Sequence, residues 1–293
     1  MSQYSIKELE KLSGIKAHTI RIWEKRYSLL TPLRTETNIR YYGDEELKKL
    51  INVTSLLSLG LKISKISEMS NDEINQKLEV LISDIKFSDS ISEIITNQLI
   101  ASSINYDENA FEKAFSSAIL RYGLVDTYIN IVYPLLEKVG MLWLKSDLMP
   151  AQEHFLSNMI HQKIQSAIDN VPPAYPSEKP WVLFLPYEEV HDIALLLSSF
   201  IIREQGKPVI YLGPRVPGDS VLSVLELYPK ANLLFFLVKE FEPKMINGLV
   251  KSINTNYPES NVFISANTFS MQKIEGGIDF EKINSVNCLV KKV

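Results

Sequence analysis

Cysteine is nearly absent from this chain, with Cys288 the single one among 293 residues. An internal disulfide is therefore excluded, and the composition suits a reducing compartment. Long apolar runs are missing as well. No stretch reaches the ~18 consecutive apolar residues that a membrane-spanning helix needs. The opening MSQYSIKELE lacks the basic-then-apolar order of a signal peptide. These features predict a cytoplasmic protein with no membrane partner. Four histidines and one cysteine leave no zinc-ligand set. No nucleophile–base pair or carboxylate pair stands in a catalytic context, so the chain is not expected to be an enzyme.

Apolar residues make up 45% of the chain, ordinary for sizeable cores. The length predicts two or three units. The net charge of -4 is unevenly spread. Residues 1–70 hold 12 Lys/Arg against 8 Asp/Glu, and the remainder is acidic. A basic head on an acidic body suits a nucleic-acid-reading domain joined to a sensing domain.

Residues 1–70 alternate short helical patterns with turn signals. Ser5-x-x-Glu8 is a capping box, opening a helix with Ile6, Leu9 and Leu12 on one face, and Gly14 breaks it. A second helix is predicted from about Ala17 to Tyr27, with Ile20 and Trp23 inward. Lys16 stands where a capping Ser or Asn is expected, which predicts a start weaker by ~1 kcal/mol. Leu30 to Gly43 reads as extended. Asp44, Glu45 and Glu46 supply an acidic first turn to a third helix carrying Leu47, Leu50, Ile51 and Leu57.

Residues 72–170 are poor in breakers, with Gly123, Gly140, Pro134 and Pro150 alone. Apolar positions recur at three and four, as in Phe111, Phe115 and Ile119, which predicts a bundle of four or five helices. VPPAYPSEKP (171–180) then forms a stiff proline-rich boundary. Beyond it the period changes. WVLFLP (181–186), PVIYLG (208–213), LLFFLV (233–238) and NVFISA (261–266) are short apolar runs separated by helical stretches. This predicts a parallel sheet covered on both faces, with Val286–Val290 as a weak fifth strand. Ligands of such doubly wound, flavodoxin-like sheets bind at the carboxyl ends of the strands.

The helix TIRIWEKRY (19–27) offers Arg21, Lys25 and Arg26 for bases or phosphates, because Arg can grip a guanine edge bidentately. The following LLTPLRTETNIRYY (29–42) is a basic hairpin flanked by aromatics, suited to lie along a phosphate backbone. With SIKELEKLSGI before them and R-x5-R-Y-Y-G-D-E-E-L at their end, these segments resemble the MerR family over about residues 3–68. The resemblance implies a winged helix-turn-helix over residues 1–70 that binds a near-palindromic operator in double-stranded DNA as a dimer. Its DNA contacts fall on Thr19, Arg21, Lys25, Arg26, Tyr27, Arg34, Arg40 and Tyr41. Most members dimerise through a long helix after the wing. The stretch after Ile63 is short here, so dimerisation is expected elsewhere.

The bundle ends in VGMLWLKSDLMPAQEHFLSNMI (139–160), where Trp143 precedes Glu153-His154. This resembles the cap of the cobalamin-binding, light-responsive repressors within the MerR family and the cap of methionine synthase. The resemblance implies a helical-bundle cap over 72–170, in which Trp143, Glu153 and His154 shelter the upper face of adenosyl- or methylcobalamin. Taken alone, the same residues also fit a core tryptophan and an ordinary bundle face shared by His154 and His161.

The loop in LPYEEVHDIALLL (185–197) matches the family's x-x-His-x-x-Gly. The resemblance implies that His191 binds cobalt from below, with Glu188 as the nearby acid, in a cobalamin-binding-like Rossmann/flavodoxin-like domain over 181–293. Three departures follow. Ala194 replaces the Gly, Leu237 stands for a Ser after the third strand, and Ser265-Ala266 stand for a Gly-Gly pair.

The expected architecture is thus an all-α winged helix-turn-helix, then a helical bundle, then an α/β doubly wound parallel sheet. The expected function is a DNA-binding regulator, a repressor by resemblance, forming a homodimer or homotetramer and sensing cobalamin and light. The alternative is a MerR-type regulator whose degenerate sheet domain binds no cofactor and serves oligomerisation or partner binding.

Overall fold

The computed structural model describes residues 3–84, 89–144, 150–239, 241–274 and 278–293. The chain forms two compact units, Met1–Met159 and Ile160–Val293.

The first unit begins with α1 (Ile6–Ser13), α2 (Ala17–Tyr27), β1 (Leu33–Arg34), β2 (Arg40–Tyr41), α3 (Asp44–Ser58) and α4 (Ile63–Ile66). The Ser5–Glu8 capping box is formed, and Gly14 closes α1 in the left-handed region at φ 74°. The predicted weak start of α2 is compensated from outside. Lys16 makes no side-chain cap, but Glu10 of α1 accepts the Ala17 N–H at 2.9 Å and pairs with Lys16 Nζ at 2.9 Å. A carboxylate at a helix N-terminus satisfies an orphan donor and meets the positive end of the dipole.

Leu9, Leu12, Ile20, Trp23, Leu47, Leu50 and Ile51 are buried together with Tyr4 and Tyr42. The buried stripe of α3 continues through Val53 and Leu56, while Leu57 is only half-buried. The residues before α1 pair with the end of the wing, Tyr4 and Tyr42 exchanging backbone hydrogen bonds of 2.9 Å in each direction.

The same unit continues with α5 (Asn71–Asp84), α6 (Asp89–Ile104), α7 (Glu108–Thr127), a π-helical turn (Tyr128–Val132) and α8 (Tyr133–Leu144). α9 (Pro150–Asp169) follows. α6 is central, packing against α3 and α7 and burying Ile91, Ile94, Ile95 and Leu99. α7 breaks at Gly123, where φ 77° and ψ 165° require glycine.

The second unit is a five-stranded parallel sheet with covering helices. Its elements are β3 (Trp181–Pro186), α10 (Ile193–Glu204), β4 (Val209–Val216), α11 (Gly218–Leu227), β5 (Asn232–Leu237) and α12 (Pro243–Asn256). They continue with β6 (Asn261–Ala266), α13 (Thr268–Gln272), β7 (Glu281–Lys282) and α14 (Val286–Val290). The strand order β4-β3-β5-β6-β7 is the doubly wound order that the sequence predicts. All six residues of β3 are buried, as expected for a strand with both faces covered.

One expected strand is wrong. Val286–Val290 is helix α14, capped by Ser285, whose Oγ accepts the Cys288 N–H at 3.1 Å. The fifth strand is instead the two-residue Glu281–Lys282 beside β6, exposed and polar, so it leaves no apolar run to read.

Strand order reverses direction about β3. The crevice outside the carboxyl ends of β3 and β5 is therefore the switch point where this architecture binds ligands.

Candidate functional site

The head presents two candidate elements. On α2, Arg21, Lys25 and Arg26 are exposed, opposite the buried Ile20 and Trp23. Thr19 and Tyr27 are half-buried at its two ends, and the Arg26 guanidinium lies over the Tyr27 ring at 5.4 Å. The exposed His18 reaches Thr19 Oγ1 through Nε2 at 3.3 Å.

The wing is the antiparallel pair β1–β2, with Leu33 opposite Tyr41 and Arg34 opposite Arg40. Its tip is tied by Arg34, whose Nη1 donates to Asn38 Oδ1 at 2.6 Å, with Asn38 at φ 64°.

Glu24 joins the two elements and is a residue the sequence reading passed over. It accepts a short hydrogen bond from the buried Tyr42 hydroxyl and pairs with Arg40 Nε at 3.6 Å. Burial and the neighbouring Glu24 carboxylate push the Tyr42 phenol well above its usual range. Glu24 thus fixes the end of the wing against α2. A displacement there would shift Arg34 and Arg40 relative to Arg21 and Lys25.

In the second unit, the loop between β3 and α10 carries His191, half-exposed at the strand ends. Its partner is Glu189, not the Glu188 expected from the sequence. Glu188 is exposed, whereas the Glu189 side chain is 5% exposed. Glu189 Oε1 lies 2.6 Å from His191 Nδ1 and also accepts the backbone N–H groups of Val190 and His191 at 2.9 and 3.1 Å. Its Oε2 accepts the N–H groups of Val238 and Lys239, each at 2.8 Å, just beyond β5. Its carbonyl accepts from Arg215 N–H in β4 at 3.3 Å. One residue therefore ties together the ends of three strands.

Burial alone would raise the Glu189 carboxyl. The hydrogen bonds from the His191 ring and from the backbone of Lys239, His191 and Val238 outweigh it and hold the group at about 2. A carboxylate on Nδ1 favours the tautomer whose Nε2 carries the lone pair, the one that binds metal ions.

Two polar groups in this unit lack an aligned hydrogen bond among the described residues. His161 Nε2 stands 2.9 Å from Asp192 Oδ1 without hydrogen-bond alignment. The buried Tyr211 hydroxyl on β4 has no hydrogen-bond partner among the described residues, and burial together with Asp192 raises its pKa. Buried unpaired hydroxyls are uncommon in folded proteins and mark places where a ligand or water completes the bonding.

The departures from the family pattern take a definite place. Leu237, the last residue of β5, is buried in the sheet core, while Ser265 and Ala266 end β6 half-exposed. Just beyond Leu237, the Val238 and Lys239 amides are engaged by Glu189.

Of the cap residues, Glu153 and His154 form a pair on α9, with His154 Nδ1 at 3.0 Å from Glu153 Oε2 and the imidazole largely exposed. Ser157 Oγ donates to Glu153 Oε1 at 2.5 Å. Trp143 falls on α8, and its side chain lies outside the described residues.

A helix-and-wing head with exposed basic side chains, a helical module and a parallel sheet with a histidine at its switch point belong to a ligand-sensing, DNA-binding transcriptional regulator. Residues 4–73 match the model of the MerR HTH family regulatory protein, and residues 95–167 match that of the B12 binding domain. The chain is 28% identical over 230 residues to the HTH-type transcriptional repressor CarH of Myxococcus xanthus, covering 77% of this chain and 76% of that protein. It is 26% identical over 223 residues to the repressor CarA of the same organism, covering 74% and 70%. Among solved structures, the Methanosarcina barkeri monomethylamine corrinoid protein shares the fold with a TM-score of 0.56 at 14% identity. That match covers 68% of this chain and 96% of the other. No helix among the described residues is long and apolar enough to cross a membrane.

Proposed function

We propose that the chain is a cytoplasmic, operator-binding repressor whose sensed ligand is adenosyl- or methylcobalamin. In this reading residues 1–70 read DNA, 72–170 form the cap and 181–293 form the cofactor domain. The observation that carries it is the Glu189–His191 pair, which presents an imidazole nitrogen at the sheet's switch point. The chemistry of the donor fits cobalt, since a carboxylate on the far nitrogen fixes the tautomer and raises ligand basicity. The unpartnered Tyr211 hydroxyl adds a group that an amide-bearing ligand would satisfy. Trp143, Glu153 and His154 are assigned to the same cofactor because they fall within the match to the B12 binding domain.

When bound, cobalamin supplies a photolabile cobalt–carbon bond. The protein's own part is to hold the ring with His191 and to orient His191 with Glu189. On the DNA side, Arg21, Lys25 and Arg26 meet the major groove, Thr19 and Tyr27 flank them, and Arg34, Arg40 and Tyr41 follow the backbone of a near-palindromic operator. A palindrome requires two heads, so the repressor acts as a homodimer or homotetramer.

The test is direct. The purified chain is mixed with adenosylcobalamin and with methylcobalamin in the dark, desalted, and its visible spectrum recorded. A retained corrin band, shifted by His191→Ala, supports this reading. A colourless protein that still binds its own promoter supports a regulator whose sheet domain makes protein contacts alone.

A further inference from the structure

A second concavity lies within the first unit. Helices α3, α5, α6 and α7 enclose a half-open cleft of about 300 Å³. This is at the lower end of small-ligand sites. We propose that it binds a small organic anion, a compound bearing a carboxylate or phosphate on a short apolar body.

The cleft exists because of side-chain size. Ala110, Ala114 and Ala118 stand at i, i+4 and i+8 on α7 and line it together with Ser117. Leucine-sized residues at such positions would interdigitate with the neighbouring helices and leave no void.

Charge selects the occupant. Lys48 of α3 lines the cleft half-buried, and Lys113 and Arg121 of α7 line it as exposed residues. The lining includes one carboxylate, Asp107, whose Oδ1 accepts the Ala110 N–H at 2.9 Å as the N-cap of α7. A concavity lined mainly by cations focuses potential and concentrates anions.

Polar groups line the walls. Asn52 is 8% exposed and donates through Nδ2 to Asn75 Oδ1 at 2.9 Å, and the Gln98 amide lies on α6. A part-buried amide pair of this kind fixes the wall and leaves acceptor and donor capacity for a ligand. A DNA duplex is too broad to enter a space of this size. Most of its lining lies within residues 95–167, the segment matched to the B12 binding domain, but includes none of the residues proposed to hold cobalamin. It adjoins α3, within the segment matched to the DNA-reading family, so an occupant touches the support of the head.

The experiment titrates the full chain with citrate and, separately, glycerol 3-phosphate at constant ionic strength, followed by calorimetry. The two probes separate carboxylate from phosphate ligands. One or both should bind saturably, one per chain, with Kd of about 1 mM or tighter. Lys48→Met/Arg121→Gln should weaken that binding at least tenfold. Ala114→Leu should abolish it by filling the space while leaving the charges in place. The inference is overturned if neither probe shows saturable heat up to about 10 mM, or if the charge variant binds as well as the parent. Should Ala114→Leu not fold, Lys48→Met/Arg121→Gln decides alone, since its changes lie on the cleft lining rather than in the core.

Discussion

The carboxylate of Glu189 and the imidazole of His191 meet at 2.6 Å, and the same carboxylate holds two amides beyond β5. Replacing Glu189 therefore has two separable consequences. Glu189→Ala leaves the Val238 and Lys239 N–H groups unpaired, each costing about 1–3 kcal/mol. Thermal or denaturant unfolding of the sheet unit should show the loss. Glu189→Gln keeps an acceptor but removes the charge on Nδ1. It should weaken cobalamin binding by about 10–100-fold, read from the visible spectrum during titration. Equal cofactor affinity in Glu189→Gln and parent would sink the positioning role.

The depressed Glu189 carboxyl makes stability depend on pH with a definite sign. Its folded value, about 2, lies below the ordinary 4.5, so the folded state binds the proton less readily than the unfolded state. The stabilisation is fully present above pH 4.5 and is lost as pH falls from there towards 2. The shift corresponds to something on the order of 3 kcal/mol. Urea unfolding at pH 6 and at pH 3 should show a larger acid-induced drop for the parent than for Glu189→Gln. Matching drops would contradict the account.

On the DNA side, base-reading and phosphate-binding side chains predict different signatures. Arg21→Ala should cost about 1–3 kcal/mol of operator affinity and relax discrimination at one position of each half-site. Arg34→Ala should weaken all sequences alike and lower the slope of log K against log salt by about 1 per head. Fluorescence anisotropy across a salt series measures both. A salt slope unchanged in Arg34→Ala would place the wing tip off the backbone.

Glu24 predicts a third behaviour, because it touches Tyr42 and Arg40 rather than DNA. Glu24→Gln should lower head stability by about 1–3 kcal/mol and weaken operator binding, with helix content by circular dichroism unchanged. Tyr42→Phe should reproduce part of that loss. If Glu24→Gln binds DNA normally, the wing is held by the Tyr4–Tyr42 backbone pairing alone.

Much of this protein is periodic, and periodic features are legible in one dimension. The apolar spacing in α1, α2 and α3, the Ser5–Glu8 capping box and the four apolar strands follow from local rules of helix and sheet geometry. The family resemblance located α2 and the wing because their Arg, Lys and Tyr positions are contiguous. It pointed to the loop after β3, where His191 lies, for the same reason. It mistook the acid beside it, because Glu188 and Glu189 are adjacent carboxylates and burial alone tells them apart. Spacing offered a faint signal, since a residue two before the histidine can reach back to Nδ1 across a tight loop.

Local side-chain patterns set the basic head, the doubly wound sheet and the histidine at its carboxyl end. Those depend on side-chain patterns within about twenty residues of one another. Long-range packing is what makes Glu10 start α2, Glu24 secure the wing, Val286–Val290 a helix, and Glu189 the gatherer of three strand ends around His191. Each is a partnership set by three-dimensional packing. Glu10 and Ala17 stand 7 residues apart, Glu24 and Tyr42 stand 18 apart, and Glu189 and Val238 stand 49 apart. No periodicity encodes such pairs. They form because a buried donor or carboxylate must find its complement wherever the fold brings one within reach.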